Sequence, residues 1–459
     1  MIKEKFENKR KSIEAFLMSD WLMVICFLIA CTVTVFRIEV AGLIVFAAII
    51  LFTLVFCDDV IAALEPFLLL CVCLIKCFNS FNTFIKLWWL AIPVVAVLVF
   101  HFVYYKRKFV LGEMFIPMIA VSVAVTLGGV GKITAAEYFS LESVFYTVAL
   151  GFGMVFFYVL MNSHIGADRG YSLIDKFSKI MIIMGLFCCF MLAEHYLANI
   201  QKVLEERSVL AFQWRNNVST FLLFALPFAF LRSARGNHAW FWVGMLFYGG
   251  LLLTGSRGGA IVGTAEVAMC MIGLLCFDKK HRVHNILIIV AGFVACIVFF
   301  WDLLYFFRET LLRLLMIDDD EIRVQLMKRA VMDFKSNPAF GRGLAYYGNT
   351  DVHNSAKFAL CWYHSSPFQV IGSFGIAGII AYSYQFIARM RFYNRRQTVA
   401  NAFILITYIG IELMSMVNPG LFSPIPYLLM ATLMFVVMDK SAQDQNEQKI
   451  IKRKDKTKA

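Results

Sequence analysis

Fourteen apolar runs, marked off by charge clusters and by Gly, Pro or Asn breaks, restrict this chain to one kind of fold. They fall at 21–36, 40–57, 60–78, 86–105, 109–128, 140–161, 180–199, 217–231, 239–254, 259–277, 285–305, 366–388, 399–417 and 420–438. A helix of about twenty such residues crosses the hydrocarbon core of a bilayer. The runs therefore predict an all-α polytopic membrane protein of about 12–14 transmembrane helices. Composition agrees: only 16% of the 459 residues are charged and 60% are hydrophobic, whereas soluble domains carry roughly 25% charge. The least regular runs are 60–78, which contains Glu65-Pro66, and the last two, parted only by Asn418-Pro419. The basic N-terminus precedes an apolar run with no cleavage site, so 21–36 reads as a retained first helix and not as a removed signal peptide.

The net charge of +12 points to topology, not to nucleic acid. With the N-terminus in the cytoplasm and the runs alternating, 27 of the 43 Lys and Arg fall on the cytoplasmic side, as the positive-inside rule requires. Basic cytoplasmic loops also attract anionic membrane lipid. The expected organisation is a cytoplasmic N-terminus at 1–20 and transmembrane helices with short loops over 21–305. A large extracytoplasmic loop follows at 306–365, then C-terminal transmembrane helices over 366–438 and a basic cytoplasmic tail at 439–459. The twelve cysteines lie mostly inside apolar runs, as Cys71, Cys73, Cys188 and Cys189 do, and show no metal-ligand spacing.

A connection of about sixty residues is far longer than ordinary loops, and such loops are functional or disordered. This one keeps too many Leu, Met, Phe and Trp for disorder, so a folded cap over the membrane is expected. It carries Arg323, His353 and His364. A histidine titrates near neutrality and serves as a general base; chemistry alone does not choose between His353 and His364, and a packed histidine at a helix start is the plainer reading of the latter. Two more arginines lie on the same expected side. Arg257 sits in Gly255-Ser256-Arg257-Gly258-Gly259, a glycine-flanked turn before a helix. Exposed backbone N–H groups, the helix dipole and a guanidinium there suit a phosphate or diphosphate; glycines that merely permit the turn explain it equally well. Arg215 adjoins another helix start, where snorkelling competes with an anion-binding role. Among intramembrane acids, Glu266 and Glu412 are expected to orient an arginine or line a cavity. Asp318-Asp319-Asp320 reads as a solvated acidic run rather than a metal site.

From His364-Ser365, nine residues lead to Gly375 and two more to Gly378. This spacing resembles the His-x10-Gly-x-x-Gly signature that closes the large external loop in the O-antigen ligase and O-antigen polymerase superfamily. Pro338-Ala339-Phe340-Gly341-Arg342-Gly343 resembles the family's Pro-x-x-Gly-x-Gly segment, and Gly255-Ser256-Arg257-Gly258 its Gly-Ser-Arg-Gly turn. Arg323 stands where the family often has an arginine opening a loop helix. The resemblance spans roughly Arg215 to Gly378 and selects His364 over His353. Ile379 replaces the threonine common in ligases.

The resemblance implies a GT-C-like glycosyltransferase of the bacterial plasma membrane, working at the extracytoplasmic face. Its donor would be an undecaprenyl-diphosphate-linked glycan, its acceptor a glycan or a lipid-linked chain, with no cofactor, metal or nucleic acid and with a chain-length regulator as an expected partner. His364 would be the base. Arg215, Arg257 and Arg323 would bind the diphosphate, with Ser256, Gly258, Gly341, Gly343, Gly375 and Gly378 in support. Trp362, Tyr346, Tyr347 and Tyr363 would stack on sugars or anchor the loop at the interface. Joining of repeat units is the favoured activity, transfer of finished glycan by a ligase the alternative. A flippase or exporter is the reading from another class; internal repeats would mark it, and none is visible.

Overall fold

In a computed structural model, the described residues are 2–74, 89, 91–130, 141–166, 171–210, 212, 214–308, 322–344, 362–418, 420–422 and 424–441. Among them the chain is all-helical, with no strand. In order the helices are α1 (Ile2–Leu17), α2 (Asp20–Phe36), α3 (Glu39–Phe56), α4 (Ile61–Cys73), α5 (Ala91–Tyr104), α6 (Phe115–Val130), α7 (Leu141–Val148), α8 (Met154–His164), α9 (Leu173–Ala198) and α10 (Ile200–Glu206). They continue as α11 (Arg215–Ala234), α12 (Ala239–Leu253), α13 (Arg257–Phe277), α14 (Arg282–Val298), α15 (Phe300–Phe306), α16 (Ile322–Ser336), α17 (Ser366–Arg395), α18 (Val399–Ser415) and α19 (Leu429–Ser441).

Each of the fourteen apolar runs is met by helix, and the protein is a polytopic membrane protein. Six helices are long and apolar enough to cross a bilayer unaided, or eight if the bent pairs α1–α2 and α14–α15 each count as one span. The runs at 60–78, 86–105, 109–128, 239–254 and 399–417 form shorter apolar helices. Pro66 lies inside the first of these. The run at 285–305 bends by 73° between α14 and α15.

The centre of the bundle is α11, where every residue from Val218 to Leu231 is buried. It packs against α9, α12, α13 and α18. Large side chains fill this core, among them Phe221, Phe224, Phe228 and Phe230, all without exposed surface. In contrast α14 buries only Asn285, and its apolar outer faces suit lipid. The segment expected as a folded cap is helical in part: α16 packs along α17. Asp318-Asp319-Asp320, Tyr346, Tyr347 and His353, named above as candidates, lie outside the described residues, as does the tail beyond Ser441.

Candidate active site

Arg215 and Arg257 are each the first residue of a helix, α11 and α13. The two starts lie side by side. Ser256 caps α13 by accepting from Gly259 N at 3.1 Å, and its hydroxyl donates to Asn216 Oδ1 at 2.8 Å. One turn further, Ser219 Oγ donates to Arg215 O at 2.7 Å and lies 2.8 Å from Thr254 Oγ1. Ser219, Thr254 and Ser256 are all buried, where hydroxyls stay only if hydrogen-bonded. Close approach explains Gly259, since a methyl there would sit 2.6 Å from Ser219 Oγ. Gly258 faces Val417 and Met414 at the end of α18. Two adjacent helix N-termini, each opened by an arginine, give a positive potential suited to a diphosphate.

The second half is built on α17. Glycines 341 and 343 sit on a segment that docks along the first turns of this helix. Arg342 N donates to Gly372 O and Gly343 N to Ser373 O, both at 2.8 Å; Ile376 N donates to Pro338 O at 2.8 Å and Ala377 N to Ala339 O at 3.1 Å. Accepting these bonds requires the helix to open, and it opens at Gly375 (φ 58°, ψ −147°), a conformation reserved for glycine. Gly341 lies so close that a methyl would be 2.6 Å from Gly372 O. The two glycine motifs, with Gly343 and Gly375 32 residues apart, thus form one joint. Gly378 follows it and packs under Phe374 and Val370.

His364 sits at the mouth of α17 with a left-handed backbone, φ 52°, unusual for a residue with a side chain. Its neighbours hold it there. Tyr363 is fully buried; its hydroxyl donates to Asp333 Oδ2 at 2.7 Å and its N–H to Gln369 Oε1 at 3.1 Å. Gln369 in turn donates to Ser373 Oγ at 2.8 Å, and Arg329 Nε lies 3.3 Å from Asp333 Oδ1. His364 itself is half-buried between buried Tyr363 and Ser365. Trp362 meets Tyr146 edge-on at 5.0 Å. Tyr363 is therefore a buried support and not a sugar platform. Arg323 lies in the first turn of α16, the helix that presents Asp333.

The segment 414–428 links the halves. Val417 and Met414 touch Gly258, Tyr427 donates to Asn217 O at 3.4 Å, and Phe422 lies 6.2 Å ring to ring from Phe374 beside the Gly375 break. All three contacts place the Arg215–Arg257 pair and the α17 joint at one end of the bundle. A cavity of about 540 Å³, mostly apolar, starts at Ser366 beside the His364 corner and runs past Ile379 and Phe386 to Arg389.

Glu412 forms an ion pair with Arg389 in that cavity, as expected of an acid that orients an arginine. Glu266 does not. It is fully buried against Gly410, and neither carboxyl oxygen has a hydrogen-bond partner among the described residues. Sequence reasoning missed Asn216, Ser219 and Thr254, although Ser219 stands four residues after Arg215 and so on the same helix face. It also missed Asp333 and Gln369, for which no local signal exists.

Residues 240–383, just under a third of the chain, match the sequence model of a family described as O-antigen ligase. The matched stretch holds the Ser256-Arg257 turn, Arg323, the 338–343 segment, His364, Gly375 and Gly378, but not Arg215. No curated protein matches the chain.

Proposed function

We propose, for a chain that carries an O-antigen ligase family domain over residues 240–383, that it extends a surface glycan by joining lipid-linked repeat units. The family supports a membrane protein that transfers glycan; the donor, the polymerising activity and the residue roles are our reading. The observation that carries it is the paired start of α11 and α13, held together by Ser256 and Asn216, at the same end of the bundle as His364.

In the proposed step an acceptor sugar hydroxyl gives its proton to His364, and its oxygen attacks the anomeric carbon of the donor. The bond from that carbon to the diphosphate oxygen breaks, and undecaprenyl diphosphate leaves with the electron pair. Attack opposite the leaving group inverts the anomeric centre. Arg215 and Arg257 hold the diphosphate and offset its growing charge, the kind of positioned electrostatic stabilisation that contributes most to many reactions; Arg323 adds to it from α16. The apolar cavity that begins at Ser366 is of a size that takes a ligand, and it suits the isoprenoid of the donor. Ile379, in place of the threonine common in ligases, favours the polymerase reading.

The test is the length of surface polysaccharide on a gel, from cells lacking the gene and complemented with wild type or His364→Ala at equal membrane abundance. Single-repeat products from His364→Ala support the polymerase. Long lipid-linked chains left unattached identify a ligase. Full-length attached glycan overturns the role of His364.

A further inference from the structure

At the other end of α13 from the Ser256 turn, three helix ends meet around a cluster of imidazoles. His238 precedes α12, Asp278 follows α13 and His281 precedes α14. One ligand-capable atom from each of the three lies within 4.8 Å of the others. Asp278 is 3% exposed, and His281 Nδ1 stands 3.0 Å from its Oδ1 and 3.1 Å from its Oδ2. The His238 ring is 5.3 Å from the His281 ring and 4.7 Å from that of His284.

Helix capping accounts for part of this. Asp278 accepts from His281 N at 3.2 Å and lies 3.5 Å from Asn285 Nδ2, the ordinary work of an acid before a helix. Capping leaves His238 unexplained. Both of its ring nitrogens are buried and have no hydrogen-bond partner among the described residues. A neutral imidazole always has one donor and one acceptor, and leaving such groups buried and unmade costs about 1–3 kcal/mol each. The neighbouring Lys279 and Lys280 are exposed, and Arg282 folds back to donate from Nε to Leu275 O at 2.8 Å.

We propose that His238, Asp278 and His281 bind a divalent transition-metal ion of the zinc class. Two imidazoles and a carboxylate are the donor set of such sites, with water or His284 in the fourth position. Each ligand comes from a different helix end, so the ion ties α12, α13 and α14 together. That tie matters most for α14, which buries only Asn285 and leads through α15 toward the loop that carries His364. The 21 residues of α13 put the ion about 30 Å from Arg257 at 1.5 Å per residue. Its role is structural and independent of how the glycan reaction runs.

The experiment uses the full-length protein in detergent, stripped with a chelator and titrated with Co²⁺, then with competing Zn²⁺. The expected result is one ion per chain with visible d–d absorption and no thiolate-to-cobalt charge-transfer band, and thermal stabilisation by Zn²⁺. The double variant His238→Gln/His281→Asn keeps polar side chains yet should bind at least about 100-fold more weakly and lose the stabilisation. Should that pair fail to fold, Asp278→Asn alone is measured against the same expectation. No Zn²⁺ binding by wild type, equal binding by the variants, or a cobalt spectrum with thiolate bands overturns the proposal. None of these readouts depends on glycan transfer, so the two proposals fail separately.

Discussion

His364 combines a base and a backbone outlier, and the two can be separated. Its φ of 52° is a region that Gly and Asn enter readily. His364→Gly and His364→Asn should therefore fold at wild-type abundance, while transfer falls by about 10²–10⁴, the contribution of a positioned general base. Polymer length per unit of membrane protein measures this. Equal activity in the glycine variant would show that the conformation, not the imidazole, is what the site needs. Arg257 permits a similar separation. Arg257→Lys keeps charge but loses the two-pronged fork that suits a diphosphate, so activity should fall well below wild type yet above Arg257→Ala. Loss of Ser256 acts differently: Ser256→Ala removes a helix cap worth about 1 kcal/mol and frees Asn216, and thermal unfolding of the purified protein should register it.

Among the elements, the broken helix α17 is the one on which the site depends. Its opening at Gly375 supplies acceptors for Arg342 and Gly343 and donors for Pro338 and Ala339. Gly375→Ala puts a side chain at φ 58° where a methyl would lie 2.8 Å from Gly341 N. Strain and clash together should destabilise the joint by on the order of 3 kcal/mol, read as a lower unfolding temperature and faster proteolysis in the 338–343 segment. Tyr363→Phe is a gentler probe. It removes the hydroxyl that donates to Asp333 but leaves Arg329 paired, so a loss of about 1–2 kcal/mol is expected. These elements also show what a sequence can and cannot reveal. Apolar periodicity is local, and all fourteen runs were legible from it. The glycine motifs were legible as spacing, whereas their mutual docking runs through backbone atoms of residues thirty or more apart. The Asn216–Ser256 bond, 40 residues apart, is equally invisible before the helices pack.

Across the whole molecule the two ends of the bundle differ chemically, and the difference yields a test of orientation. One end holds Arg215, Arg257 and the His364 corner. The other holds the ends of α11, α13 and α17, where Arg235 pairs with Asp175 at 2.8 Å and Arg396 reaches Asp439 at 3.3 Å; Lys279, Lys280 and Arg282 lie exposed there. A surplus of Lys and Arg marks the cytoplasmic side because positive loops resist translocation, so the basic end should face the cytoplasm and the His364 end the outside. Single cysteines at Lys279 and Phe340, both exposed, read this directly in a background whose twelve native cysteines have all been replaced. A membrane-impermeant maleimide added to intact cells should label Phe340→Cys and leave Lys279→Cys untouched until the membrane is opened. The reverse pattern would put the paired arginines in the cytoplasm. A glycan donor already carried across the membrane would then never meet them, and the proposed reaction would have to be abandoned along with the orientation.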